Sequence, residues 1–381
     1  MRGAAIVGIG RTAFTRASGR SVLAQAAEAA RAAIADAGLT PADVNGTCSF
    51  QAGDSVLGYE LADAIGIRDL HWNVDVYGGG NHSAGVVANA ATAVSAGLCD
   101  AAVVFRAMNG RSGFRFGSAR ERGVEVRGEM QFQAPQGYMV PPQWMAMWAR
   151  RHQDVYGSTC EDLGQIAVTF NRHACANPHA LTRTPLTLEQ YLASRWINEP
   201  LRLYDCAFEA DGAVALVVTT AARARDLPHE PIRVVGYAES SQRGGSWDQW
   251  PDTTRMYSHA VAPRLWERTG LEPADIDVAC IYDCFTYTAM VGLEDFGFCE
   301  RGQVGAFFAA GRATYGGEVV VNPHGGLLAE GYLHGLNHHY EAILQLRGDA
   351  GPRQVPEAKR ALVTAGAGPC GGALVYAGAR A

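Results

Sequence analysis

The chain has 381 residues, 48% of them hydrophobic and 18% charged, with 45 Gly and a formal net charge of -6. That length suits two core units of ordinary size, and the composition excludes a disordered or fibrous chain. The acidic balance argues against nucleic acid as the main partner.

The first predicted element is a buried strand over Ala4 to Ile9. The apolar run in Met1 to Gly10 is too short for a signal peptide, and no small-residue cleavage pattern follows it. Next comes an Ala-rich helical stretch, Val22 to Ile34, broken by Glu28 and Arg31. No stretch of this kind reaches the roughly 20 apolar residues that a membrane span needs, so the expectation is a soluble, cytoplasmic protein with no membrane partner. Nine cysteines lie between Cys48 and Cys370 without a CxxC pair, which predicts reduced thiols and no metal site.

After that helix, Gly38-Leu39-Thr40-Pro41-Ala42-Asp43-Val44 recurs as Gly270-Leu271-Glu272-Pro273-Ala274-Asp275-Ile276. Both copies follow a helical pattern that the Gly caps, and both lead into a strand, with Cys48 matching Cys280 and Phe50 matching Tyr282. The chain is therefore read as two similar α/β halves, 1–225 and 226–381, with mostly parallel sheets. From about residue 106 to 206 the pattern breaks down, as expected of a segment inserted in the first half.

Two Gly-rich turns have backbone N–H groups suited to a developing oxyanion: Gly78-Gly79-Gly80, which opens a helix and whose glycines equally suit close helix packing, and Ala365 to Gly372, with Gly79 and Gly368 as the expected donors. Neither carries a dinucleotide or P-loop pattern. His334 and His338 share helical spacing, but with no HExxH glutamate they read as a surface or packed pair. Arg106, Arg111, Arg115, Arg120, Arg122 and Arg127 form a locally basic segment that reads first as a solvated loop and otherwise as a contact for phosphates or an acidic partner.

Taken together, Tyr156-Gly157, Phe170-Asn171-Arg172-His173, Asn177-Pro178, Asp211-Gly212-Ala213, Tyr282-Asp283-Cys284-Phe285 and Asn322-Pro323-His324-Gly325-Gly326 resemble the thiolase superfamily. Within it the chain is most similar to the sterol carrier protein X-type thiolases and the lipid-transfer-protein-like aldolases. The resemblance implies the thiolase fold, two similar halves in a five-layered αβαβα arrangement with an inserted loop domain. It also implies a homodimer paired through the first half.

The departures are chemical. Tyr77 stands where the resemblance places the nucleophilic cysteine, Ala365 where it places the second cysteine, and Tyr332 and Tyr282 where it places two further polar groups. A thiolase must hold an acyl fragment on a thiolate, and this chain lacks one at both cysteine positions. Retro-aldol cleavage of a β-hydroxyacyl-CoA needs only a base for the hydroxyl and an acid for the enolate. Tyr282 and Tyr332 are the expected catalytic pair, with Tyr77, Asp283, Asn322 and His324 as surrounding polar groups.

The resemblance further implies a steroid side chain as substrate, a 17-keto steroid and propionyl-CoA as products, and a small OB-fold and zinc-ribbon acyl-CoA-binding protein as partner. No cofactor beyond the CoA of the substrate is expected. Two other readings stay open: a non-catalytic acyl-CoA or lipid-binding subunit, and an acyltransferase with a relocated nucleophile such as Cys370.

Overall fold

The structure, a computed structural model, describes residues 3–113, 115, 117, 128, 130–241, 250–379 and 381. Its strands in chain order are β1 (Ala4–Arg11), β2 (Gly46–Gln51), β3 (Trp72–Tyr77), β4 (Ala101–Asn109), β5 (Trp196–Asn198) and β6 (Leu201–Arg202). Then follow β7 (Asp211–Thr220), β8 (Ile232–Ser241), β9 (Val278–Cys280), β10 (Val320–Val321), β11 (Arg360–Ala367) and β12 (Cys370–Ala377).

Strands β5 and β6 pair with each other, and the rest form one array, β10-β9-β11-β12-β8-β1-β7-β4-β2-β3. Outward from the β1–β8 junction the two sides match, β1-β7-β4-β2-β3 against β8-β12-β11-β9-β10. Directions match too, with antiparallel pairings nearest the junction and parallel ones beyond. The repeated motif occupies equivalent places: Gly38 and Gly270 take φ of 68° and 66°, Pro41–Asp43 and Pro273–Asp275 each form a 3-10 turn, and Cys48 and Cys280 lie on β2 and β9. The expected division at residue 225 falls between β7 and β8.

The expectation of mostly parallel sheets needs correction, since half of the pairings within each set are antiparallel. The connections explain why. Only Gly368 and Pro369 separate β11 from β12, and so short a link returns the chain antiparallel, whereas a parallel partner requires a long crossover.

Helix Val22–Asp36 covers the outer face of the first set. Its alanines and the glycines of β1 allow close approach, because a Cβ on Gly8 or Gly10 would stand 2.1 Å from the Ala33 carbonyl oxygen or 2.2 Å from that of Ala29. Helix Ser258–Thr269 covers the outer face of the second set. Between the sets lie helices Ser83–Ala96 and Leu336–Arg347, where Val86, Ala90, Val94 and Ile343 share one core with Ile6, Cys48, Cys280 and Val363. These are the five layers, helix, sheet, helix, sheet, helix, of the thiolase fold.

The segment between β4 and β7 contains helices Pro141–Tyr156 and Cys160–Cys175 and the β5–β6 hairpin, and its Trp148, Ile166 and Phe170 pack with Val291, Leu293 and Phe307 of the second half. Its return segment runs beside the second half: Ala207 N–H donates to Cys284 O at 3.0 Å and Phe208 N–H to Leu327 O at 3.0 Å. Among the described residues no helix is long and apolar enough to cross a membrane.

Candidate active site

Beyond β9 the chain runs straight into Ile281, Tyr282, Asp283 and Cys284, and side chains pin that exit. Ile281 N–H donates to Asn322 Oδ1 at 2.8 Å, Asn322 Nδ2 donates to Ile281 O at 2.9 Å, and Tyr282 N–H donates to Thr364 Oγ1 at 2.8 Å. Tyr332 arrives from the other side, its N–H donating to Phe208 O at 2.8 Å. It lies in an extended bridge opposite Glu209, ahead of helix Leu336–Arg347. Gly331 and Gly335, at φ 149° and 84°, delay the helix by conformations that a side chain disfavours.

This brings the two hydroxyls together, Tyr282 Oη to Tyr332 Oη at 3.0 Å. Tyr282 is 3% exposed, and Gly80 makes room for it, since a Cβ there would stand 1.9 Å from the Tyr282 hydroxyl. Burial, then Tyr332 and Cys284, hold the Tyr282 phenol well above its ordinary range. Burial and Cys284 also push Tyr332 up, but the hydrogen bond from Tyr282 and the Arg106 cation draw it back. Either hydroxyl can donate in this contact, and the Arg106 cation favours the anion of Tyr332.

The other expected residues divide. Gly79 lies in the site, its Cβ position 3.8 Å from His334 Cε1. Asp283 and Asn322 are fully buried and structural: Asp283 Oδ1 accepts from Leu327 N–H at 2.8 Å, and Asn322 clamps Ile281. His324 is likewise fully buried, with Nε2 3.0 Å from His338 Nδ1. Gly368 sits in the β11–β12 turn with its carbonyl accepting from Tyr257 N–H at 2.7 Å, and it is Gly366 of that segment whose Cβ position comes within 3.1 Å of Asn81.

Tyr77 is not brought to the site at all. It is 80% exposed at the end of β3, on the open edge of the array, because the strand delivers it outward and the turn to the buried helix begins only at Gly78. His334 and His338 are both buried, but each pairs elsewhere, correcting the surface alternative. Among the described residues, Cys280, His324 and His338 are spaced to hold a metal ion. Two of the four imidazole nitrogens, His324 Nε2 and His338 Nδ1, are engaged with each other, and His338 Nε2 lies 3.2 Å from Asp283 Oδ1 without hydrogen-bond geometry, so the group reads as a buried histidine pair.

Of the basic segment, Arg106 is wholly buried and Arg115 pairs with Glu209 at 2.6 Å, so neither reaches out as a phosphate contact; Arg120, Arg122 and Arg127 lie outside the described residues. Asp54, Arg106, His334 and Glu330 were not legible as site residues. Their enclosed side chains, and the contact of His334 with the Tyr332 ring, identify them. Cys284 and Cys370 are poor nucleophiles: burial pushes Cys284 up to about 12 and, with Glu239, raises Cys370.

Gly80→Ala gives a direct test of the packing that presents Tyr282. The added methyl must displace the phenol, so kcat should fall about 10²-fold while thermal unfolding shows a folded protein. Unchanged kcat would mean that the position of the hydroxyl is unimportant.

A family model described as thiolase C-terminal domain-like matches residues 240–376. The chain is 42% identical to the 17-hydroxy-3-oxo-4-pregnene-20-carboxyl-CoA lyase of Mycobacterium tuberculosis, over 96% of each chain. It is 42% identical to the steroid side-chain-cleaving aldolase of Thermomonospora curvata, over 98% of each. Among solved structures, the Ltp2-ChsH2(DUF35) aldolase superposes with a TM-score of 0.92 at 40% identity, covering 100% of this chain and 98% of that one.

Proposed function

This chain belongs to the steroid side-chain-cleaving aldolases of thiolase fold, and we propose that it splits a 17-hydroxy steroid acyl-CoA into a 17-keto steroid and propionyl-CoA. The observation that carries the reading is the 3.0 Å contact between the Tyr282 and Tyr332 hydroxyls in a site with no activated thiol. Tyr332 reacts as the phenolate, the form that the Tyr282 hydrogen bond and the Arg106 cation favour, and takes the proton of the β-hydroxyl. The electrons of that O–H bond form the ketone, and those of the broken carbon–carbon bond pass to the α-carbon and the thioester oxygen. Tyr282 then protonates the α-carbon, and a proton returns from Tyr332 to Tyr282 across their hydrogen bond.

The atoms balance without water, free CoA or an oxidant, so no cofactor is called for beyond the CoA of the substrate. The proposal includes a homodimer and a small OB-fold and zinc-ribbon acyl-CoA-binding partner. Support for the first is the unpaired β3 edge with Tyr77 exposed on it, a surface that invites pairing. Support for the second is the name of the 40% identical aldolase, which joins it to a ChsH2(DUF35) component. The free state of all nine cysteines fits a cytoplasmic location.

The test is incubation of the purified protein, alone and with a DUF35-type partner, with a 17-hydroxy steroid β-hydroxyacyl-CoA while ketone and propionyl-CoA are followed. Equal release of both products is expected. Binding without cleavage in either preparation would reduce the chain to a non-catalytic subunit.

A further inference from the structure

A second buried polar group borders the phenols and joins the two halves. Arg106 of β4 is fully enclosed, and its guanidinium donates to the Asp54 carboxylate and, at 2.9 Å, to Nδ1 of His334. A guanidinium has hydrogens on every nitrogen and no acceptor. His334 Nδ1 must therefore accept, which leaves the ring hydrogen on Nε2. Burial and the adjacent Arg106 cation lower the imidazole to about 3, so it stays neutral and a donor at physiological pH.

The ring meets that of Tyr332 edge to face, centroids 4.9 Å apart, and its Cε1 lies beside the Gly79 turn. His334 also has φ 53°, a left-handed conformation that costs a side-chain-bearing residue energy and that persists where the surroundings enforce it.

We propose that His334 is a catalytic residue, its Nε2–H donating to the thioester oxygen as that oxygen gains charge in the enolate, with Arg106 and Asp54 as positioning residues that fix the donor tautomer. The proposal rests on the aldolase reading. In a β-hydroxyacyl thioester the hydroxyl and carbonyl oxygens stand on carbons separated by a single carbon, so the base for one and the donor for the other must be near neighbours. Tyr332 and His334 are such neighbours. The imidazole keeps its proton throughout; it stabilises charge and transfers nothing.

The experiment compares wild type, His334→Leu and His334→Gln, with the partner subunit present, in cleavage and in exchange of the α-hydrogens of propionyl-CoA for deuterium, which forms the same enolate without breaking a carbon–carbon bond. His334→Leu should lose about 10² to 10³ in kcat for both, with KM little changed. His334→Gln, whose amide N–H reaches near the place of Nε2, should recover about tenfold. A His334→Leu variant within about fivefold of wild type in kcat overturns the proposal alone. Wild type that neither cleaves nor exchanges overturns the aldolase reading beneath it.

Should His334→Leu fail to fold, nitrogen NMR of histidine-labelled wild type decides. An Nε2–H tautomer that does not titrate between about pH 5 and 8 and shifts on addition of propionyl-CoA is the expected result. An Nδ1–H tautomer, a titration in that range, or no response to propionyl-CoA overturns it.

Discussion

Tyr282→Phe and Tyr332→Phe should each fold, bind acyl-CoA and lose about 10² to 10⁴ in kcat. Each change keeps the ring and nearly all of its buried area and deletes one end of the 3.0 Å hydroxyl contact. As a packing change alone it would cost about 0.5 to 1.5 kcal/mol of stability, the worth of one hydrogen bond. Because both hydroxyls serve one proton-transfer sequence, the double variant should lose less than the product of the single losses. The two singles should also differ: Tyr332→Phe removes the base outright, whereas Tyr282→Phe leaves Tyr332 beside Arg106 but without its proton donor. Tyr77→Phe, at an exposed position, should change turnover little. Near-normal turnover in both site variants, where chemistry limits the rate, would end the two-tyrosine mechanism.

Arg11→Met is expected to cost about 3 to 5 kcal/mol of stability at neutral pH, because it leaves a buried carboxylate without its cation. Arg11 Nη1 meets Glu330 Oε1 at 2.7 Å, with side chains 8% and 1% exposed. Glu330 also accepts from Asn337 Nδ2 at 2.7 Å and Asn177 Nδ2 at 3.1 Å. It immediately precedes Gly331 and Tyr332, so the pair ties β1 to the segment that carries the base.

Burial alone would raise the Glu330 carboxyl, but Arg11, His324 and Asn337 outweigh it and hold the group at about 2, below its ordinary 4.5. A folded-state value below the unfolded one means the contribution is present above 4.5 and is lost as pH falls toward about 2. In Arg11→Met burial wins, the folded carboxyl rises, and the proton it takes up relieves the defect. The stability gap between wild type and variant, measured by chemical denaturation, should therefore narrow from pH 7 to pH 4. Adding Glu330→Gln should recover part of the loss. A gap that widens toward acid would contradict this account of the pair.

What was legible in the sequence followed local chemistry. The repeated helix cap, 3-10 turn and strand depend on Gly, Pro and Asp at fixed offsets, so Gly38 to Val44 and Gly270 to Ile276 revealed the two matching strand sets. Tyr282 and Tyr332 were found as a pair by resemblance, and tertiary structure alone supplies their contact. The antiparallel pairings, the exposure of Tyr77 and the burial of Arg106 depend on connections and neighbours distant along the chain. Arg106 misled for a physical reason: arginine is rarely enclosed without partners, and its partners Asp54 and His334 come from different elements in different halves.

The central claim is that this site breaks a carbon–carbon bond by proton transfer between two phenols, without a covalent acyl-enzyme or free CoA. Cleavage of a 17-hydroxy steroid acyl-CoA in heavy water, with no CoA added, tests it most directly by mass spectrometry of the products and of the protein. The account predicts ketone and propionyl-CoA in equal amounts, one solvent-derived deuterium on the α-carbon of the propionyl group, and a protein of unchanged mass. Cleavage that waits for added CoA, or a protein carrying an acyl group, would contradict it.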